Sequence, residues 1–129
     1  MALIDYRERL TCTRCGQCRH FVGSWTRSCP SGTKYIAEPY YSSGRAWLAE
    51  ALVEGRVELD RKMAGAIYSC AMCRACTEMC PIEYRNHAME VVEALREEAI
   101  EAGVVPPTVR DFLKNIHTSG NPWKEPQEA

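Results

Sequence analysis

Apolar positions recur at helical spacing through most of the chain, and no segment shows the period of two that marks a half-buried strand. In "SSGRAWLAEALVEG", Trp47, Leu48, Ala51 and Leu52 share one face, Ser42 or Ser43 is placed to cap, and Gly55 to end the helix. In "LDRKMAGAIYSC", Asp60 suits an N-cap, and Met63, Ala64, Ile67 and Tyr68 form a stripe. The clearest pattern is "NHAMEVVEALREEAIEAG". There Ala88, Val91, Val92, Leu95 and Ala99 lie opposite a charged face, with Asn86 as cap and Gly103 beyond the end. Pro106 and Pro107 then break the chain before a shorter helix in which Val109, Phe112, Leu113 and Ile116 align after Thr108. Such stripes are ordinarily core, and Trp47 is assigned to it. The pattern predicts a mostly α protein with irregular loops: a domain over 1–117 and an extended, turn-rich tail over 118–129.

Composition adds constraints. The chain has 129 residues, 46% hydrophobic and 26% charged, with a formal net charge of -1, so it offers no general attraction to nucleic acid or anionic lipid. No apolar run approaches the roughly 20 residues of a membrane span. Charges interrupt "MALIDYRERLTC" where a secretion signal would be apolar. The expected location is cytoplasmic, with any membrane association made through partners.

Cysteine changes the picture. All eight cysteines fall into two groups: Cys12-x2-Cys15-x2-Cys18 with Cys29-Pro30, and Cys70-x2-Cys73-x2-Cys76-x3-Cys80-Pro81. In a reducing compartment such clusters bind metal more often than they form disulfides. Zinc usually takes two separated ligand pairs. Three cysteines at three-residue steps instead suit three corners of an iron–sulfur cube, and C-x2-C-x2-C-x3-C-P is the bacterial ferredoxin run whose fourth cysteine serves the other cluster. Proline fixes its own φ and pushes the preceding cysteine toward an extended conformation, away from its own triplet. On that pattern Cys12, Cys15, Cys18 and Cys80 hold one 4Fe-4S cluster, and Cys70, Cys73, Cys76 and Cys29 the second. Uncrossed ligation, structural zinc and disulfides stay open as alternatives. Eight thiolates fill two cubes, which leaves no iron open for substrate. The C-x3-C-x2-C pattern of radical-initiating clusters also fails, because position 83 is Glu83.

With its two cysteine–proline groups joined by "YYSSGRAWLAEALVEGRVE" and followed by a long amphipathic helix, the chain resembles an α-helical ferredoxin. It is most similar to the small iron–sulfur subunit of heterodisulfide reductase and its relatives, over residues about 8–123. The same module forms the N-terminal half of iron–sulfur subunits of glycolate, lactate and glycerol-3-phosphate oxidoreductases. The resemblance implies an α-helical ferredoxin fold carrying two cubane clusters, and an electron-transfer subunit of a multisubunit oxidoreductase. Its implied partners are redox subunits: a flavin- or cluster-bearing donor, and a "CCG"-type or membrane-linked acceptor. Two features depart from the pattern. "RHFVGSWTRS" separates Cys18 from Cys29 where relatives are compact, and no "CCG" domain follows "GNPW".

Other residues invite secondary roles. Arg14, Arg19 and Arg74 are placed to offset cluster charge, against a plain reading as solvated surface. Gly16 allows close backbone approach. His20 is an unneeded ninth ligand, and His87 and His117 are expected on helix surfaces or at caps. Trp25, Tyr40 and Tyr41 suit a cluster shield or a partner-facing patch. Thr33 and Lys34 lack the spacing of a phosphate loop. No nucleophile–base pair emerges. Two further functional classes remain: a catalytic iron–sulfur subunit with an open cluster site, and a zinc-stabilised interaction module.

Overall fold

The computed structural model describes residues 2–124. Along them six helices follow in order: α1 (Pro30–Tyr35), α2 (Ser42–Val53), α3 (Arg61–Tyr68), α4 (Ala75–Met79), α5 (Ala88–Glu101) and α6 (Pro107–Ser119). Tighter 3₁₀ segments occupy Ala2–Arg9, Gln17–Arg19, Glu38–Tyr40 and Glu83–Asn86. Among the described residues there is no strand, only an isolated antiparallel bridge between His20 and Arg27. The mostly α expectation holds. No helix of the described chain is long and apolar enough to cross a membrane.

Helix α5 is the spine. Its Val91 and Leu95 are fully buried and pack with Ala46 and Ala49 of α2, Ile67 of α3, and Leu3. Small side chains dominate this interface, so the helices approach closely, and the larger Leu3, Ile67 and Leu95 fill what remains. Burial of a side chain such as Leu3 contributes about 1.5–3 kcal/mol. The N-terminal segment thus belongs to the core, which its charged appearance concealed. A smaller apolar group of Ala64, Ala99 and Val105, flanked by Val109, seats the start of α6. The rest of α6 buries nothing.

Several local expectations hold for the reasons given. Asp60 Oδ1 accepts the Met63 N–H at 2.8 Å. Gly55 follows α2 with φ 67° and donates to Leu52 O, the left-handed exit that a side chain resists. Gly103 closes α5 in the same way, at φ 68°.

Three expectations are corrected. Neither Ser42 nor Ser43 caps α2: the helix starts at Ser42, extended Tyr41 is the N-cap, and no side chain caps it. Both serines are buried in the first turn, and Ser43 Oγ donates instead to Glu38 Oε1 at 2.7 Å. Asn86 does not cap α5 either. It closes the preceding 3₁₀ turn by donating to Glu83 Oε1 at 2.9 Å, and His87 takes the cap position. Trp47 is not core: it is 48% exposed, with the Arg14 guanidinium 4.9 Å over its ring. The inward face of α2 is rotated onto Ser42, Arg45, Ala46 and Ala49, because the helix packs on the cysteine loops as well as on α5. Helix α6 runs through Ser119, and residues 120–124 turn back on it. Trp123 meets Phe112 edge-on at 5.3 Å, and Asn115 Nδ2 donates to Pro122 O at 2.8 Å. The rest of the expected tail, 125–129, lies outside the described residues.

One contact fixes where α2 begins. A Cβ on Gly44 would stand 1.9 Å from Glu38 O and 2.9 Å from Pro39 Cα, both backbone atoms. Gly44→Ala is therefore expected to cost at least about 1–3 kcal/mol, read as a lower denaturation midpoint. A variant as stable as the parent would show that the Glu38–Tyr40 turn yields freely.

Candidate metal centres

The two cysteine triplets are wound alike. In each, the chain turns left-handed two residues after the first cysteine, at Arg14 (φ 59°) and Met72 (φ 54°). It does so again one residue after the second, at Gly16 (φ 81°) and Arg74 (φ 63°). Only one of those four is glycine, and a left-handed non-glycine residue costs about 1–2 kcal/mol, so the surroundings impose the winding twice. Alternating hands turn successive N–H groups to one side and make an anion-binding concavity. Each triplet then enters a short helical segment, Gln17–Arg19 or α4. The two proline-preceding cysteines also match: Cys29 at φ -94°, ψ 116° and Cys80 at φ -79°, ψ 121°, both extended as the prolines require.

The eight thiols are free and line two adjoining cavities. The first takes Cys12, Cys15, Cys18 and Cys80, with Ser42, Ser43 and Tyr84 in its wall. The second takes Cys29, Cys70, Cys73 and Cys76, with Ser42 and Arg45 in its wall. Cys76 and Ser42 line both. Each cavity draws a triplet from one group and a proline-linked cysteine from the other. Among the described residues, no three of these or other ligating side chains converge tightly enough to share a single ion. Cys15 and Cys73 are the exposed members, and Cys80 is buried.

Thiol electrostatics follow the same grouping. Burial raises the Cys12 pKa, the Arg14 N–H opposes it, and Cys18, Cys80 and Cys15 add to the rise. Burial likewise raises Cys18, against the Ser43 N–H and hydroxyl. Cys76 is pushed up to about 11 by burial, opposed by the Ser42 hydroxyl and reinforced by Cys18, Cys70 and Cys29. The first turn of α2 therefore faces both sites: its N–H and hydroxyl donors reach Cys18 on one side and Cys76 on the other. A helix N-terminus favours negative charge there.

Three buried donors lack an acceptor among the described residues, Arg19 Nε, Arg96 Nε and the Tyr84 hydroxyl, and the last faces a cysteine cavity. Tyr84 is 2% exposed, lines the first cavity, and its hydroxyl completes no hydrogen bond among the described residues. A buried unsatisfied hydroxyl is costly unless something in the cavity accepts from it. Thiolate donors, converging N–H groups and this waiting hydroxyl all fit an anionic iron–sulfur cube with sulfur acceptors on its faces.

The chain matches the model of the 4Fe-4S dicluster domain over residues 8–84. It belongs to that family. The matched span runs from the segment before Cys12 to Tyr84, so it includes every cysteine of this dicluster domain. The domain is also similar to a probable glycolate oxidase iron-sulfur subunit of Bacillus subtilis (strain 168). The two are 33% identical over 79 residues, covering 60% of this chain and 16% of that protein. The dicluster domain thus corresponds to less than a fifth of that relative. No solved structure matches it.

The remaining predicted residues divide clearly. Arg14 pairs with Glu50 and Arg19 with Glu38, so their charges are met on the protein surface. Arg74 serves through its backbone, as a left-handed residue in the second winding. His20 stands beside Cys15 and Gly16 in an open depression, while His87 pairs with Glu90 as a capping residue. Trp25 is 95% exposed, Tyr40 stacks on Tyr35 at 4.1 Å, and Tyr41 is buried against Gly32. Tyr84, Arg45 and the buried role of Ser42 and Ser43 escaped the sequence reading. Tyr84 lies four positions after Cys80, but Ser42, Ser43 and Arg45 stand far from any cysteine in the sequence, so no spacing rule marks them.

Two outcomes are expected. Tyr84→Phe leaves the iron-free dicluster domain at least as stable as the parent, because it deletes an unpaired hydroxyl, but destabilises the iron-loaded form; denaturation with and without iron checks both signs. For Cys76, the folded pKa of about 11 lies above the reference 9.0, so the unfolded state binds fewer protons between them. The slope of stability with pH is then negative, and iron-free protein loses stability from about pH 9 upward. Cys76→Ser should flatten that loss in pH-dependent unfolding.

Proposed function

We propose that this domain is an electron-transfer subunit, similar to the small iron–sulfur subunit of heterodisulfide reductase, that relays single electrons between redox partners. When bound, each 4Fe-4S cluster would accept and release one electron. Cys12, Cys15, Cys18 and Cys80 would hold the first, and Cys29, Cys70, Cys73 and Cys76 the second. The observation that carries this reading is the exchange of proline-linked cysteines between the two cavities: Cys80 lines the one with the first triplet and Cys29 the one with the second, while Cys76 stands on the wall they share. The shared wall of Ser42 and Cys76 supports passage between the sites, as adjoining redox centres need no intervening carrier. The chain's own residues supply position and charge: the two windings aim N–H groups at the sites, and α5 with Leu3 fixes the helices that carry them.

Full thiol use argues against the alternative of a catalytic cluster with an open iron. Two triplets at three-residue steps, in place of separated ligand pairs, argue against a zinc-stabilised module. The likeness to a glycolate oxidase iron-sulfur subunit supports membership of an oxidoreductase complex. Its partners would be a flavin- or cluster-bearing donor and a CCG-type or membrane-linked acceptor, in a permanent assembly on the cytoplasmic side. Residues 1–117 would be the cluster-bearing unit, and 118–129 a tail available for contact.

Paired cysteine replacements test the ligation. If the cysteines cross, Cys29→Ala with Cys70→Ala spoils one site and keeps half the iron, whereas Cys29→Ala with Cys12→Ala spoils both. The reverse result would mean that each triplet keeps its own proline-linked cysteine. Zinc in place of iron, or iron that shows no reversible one-electron reduction, would remove the electron-transfer reading altogether.

A further inference from the structure

Arg45 is the largest fully buried side chain of the described protein, at 1% exposure. A guanidinium cannot shed its charge in a protein, and burying it without an anion is strongly unfavourable. Among the described residues no carboxylate pairs with it. Its hydrogen bonds go to neutral oxygens: Nε to Ala66 O at 3.1 Å, Nη1 to Tyr40 O at 2.9 Å, and Nη2 to Ala66 O at 2.8 Å, Ser31 Oγ at 3.0 Å and Ser69 Oγ at 2.9 Å. These bonds satisfy its donors but not its charge. They also connect it to the second cysteine cavity, whose wall it forms. Ser31 Oγ lies 3.4 Å from Cys29 Sγ, and Tyr40 O lies 3.5 Å from it. Ser69 immediately precedes Cys70.

Among the described residues the first cavity has no equivalent. Its nearby arginines, Arg14 and Arg19, are partly exposed, and each is already matched to a glutamate. On the second side a further cation, Arg96, donates to Cys70 O at 2.7 Å, and it too has no carboxylate partner among the described residues. The sites are wound alike and differ in the charge placed behind them.

We propose that Arg45 is the buried counter-charge of the second cysteine site and holds a cluster there at a higher reduction potential than one in the first. This rests on the two-cluster reading given above. A cube with four thiolates carries a net charge of roughly -2 when oxidised and one more negative charge when reduced. A fixed cation in low dielectric stabilises the reduced form more than the oxidised one, and salt screens it little. The electron would then rest on the Cys29 side, and transfer from the first site to the second runs downhill. Arg45 acts through charge and through the serines and Tyr40 carbonyl around Cys29, so it is a positioning and tuning residue and not a ligand.

The test is a redox titration, followed by electron paramagnetic resonance, of the iron-loaded protein and two variants. The parent should show two midpoints. In Arg45→Gln, which removes the charge, the higher midpoint should fall while the lower stays; in Arg45→Lys, which keeps it, both should remain near the parent values. Movement of the lower midpoint, equal movement of both, movement of neither, or an equal fall of the higher midpoint in the Gln and Lys variants would overturn the proposal. If Arg45→Gln loads no second cluster, loading by Arg45→Lys supports the charge. Failure of both variants to load would mean that the forked hydrogen bonds matter and not the charge, and would overturn it. A parent protein with no reversible clusters refutes the function proposed above instead, so the two failures are distinguishable.

Discussion

Eight thiols gathered against one small helical core repel each other as soon as they ionise, and burial alone already raises several of their pKa values. What makes the arrangement workable is the insertion of the first turn of α2 between the two groups. That turn presents N–H groups that no side chain caps and two buried hydroxyls, with Arg45 one step further in. It can occupy the position only because Gly44 lets its backbone lie against the Glu38–Tyr40 turn. The absence of a side-chain cap, unusual for a buried helix start, follows from the same constraint. Donors satisfied by a cap would be lost to the cysteine sites.

Around that wedge the structure is close to a repeat. Two windings with matched left-handed residues, each entering a helical segment, are followed by two extended cysteines before proline. The halves differ in their connections. The second triplet reaches its proline-linked cysteine through α4 alone, while the first detours through 19–28, pinned by the His20–Arg27 bridge and by Ser28 Oγ donating to Cys18 O at 2.7 Å. The detour leaves Cys29 close to the values of φ and ψ seen at Cys80, so the extra residues alter the surface without altering the backbone at the thiol.

Much of this was legible because cysteine spacing and proline act locally. A three-residue step fixes the winding, and an X-Pro bond fixes the conformation before it, wherever the chain goes next. The amphipathic stripe of α5 was equally plain, since Val91 and Leu95 both enter the apolar core built by Leu3, α2 and α3. Helix α2 was misread because it has two partner layers of different chemistry. A hydropathy stripe picks Trp47, yet the inward face is set by small residues and an arginine. Leu3 was missed for the related reason that its neighbours Asp5, Arg7 and Arg9 are charged, and only the tertiary fold shows that one leucine enters the core.

The misreading of α2 is instructive about where function hides in such a chain. Ligands declare themselves by type and spacing. The groups that adjust a bound charge are ordinary residues, namely a tyrosine, two serines and an arginine, and they become distinct only when burial strips them of water. Tyr84 and Arg45 are both almost completely buried, one with an unmet hydroxyl and the other with an unmet charge, and they stand behind different cavities. A core built for stability alone would favour apolar replacements at both positions. Their placement at the walls of two otherwise matching sites is what a protein needs if equal ligand sets are to be held at unequal potentials.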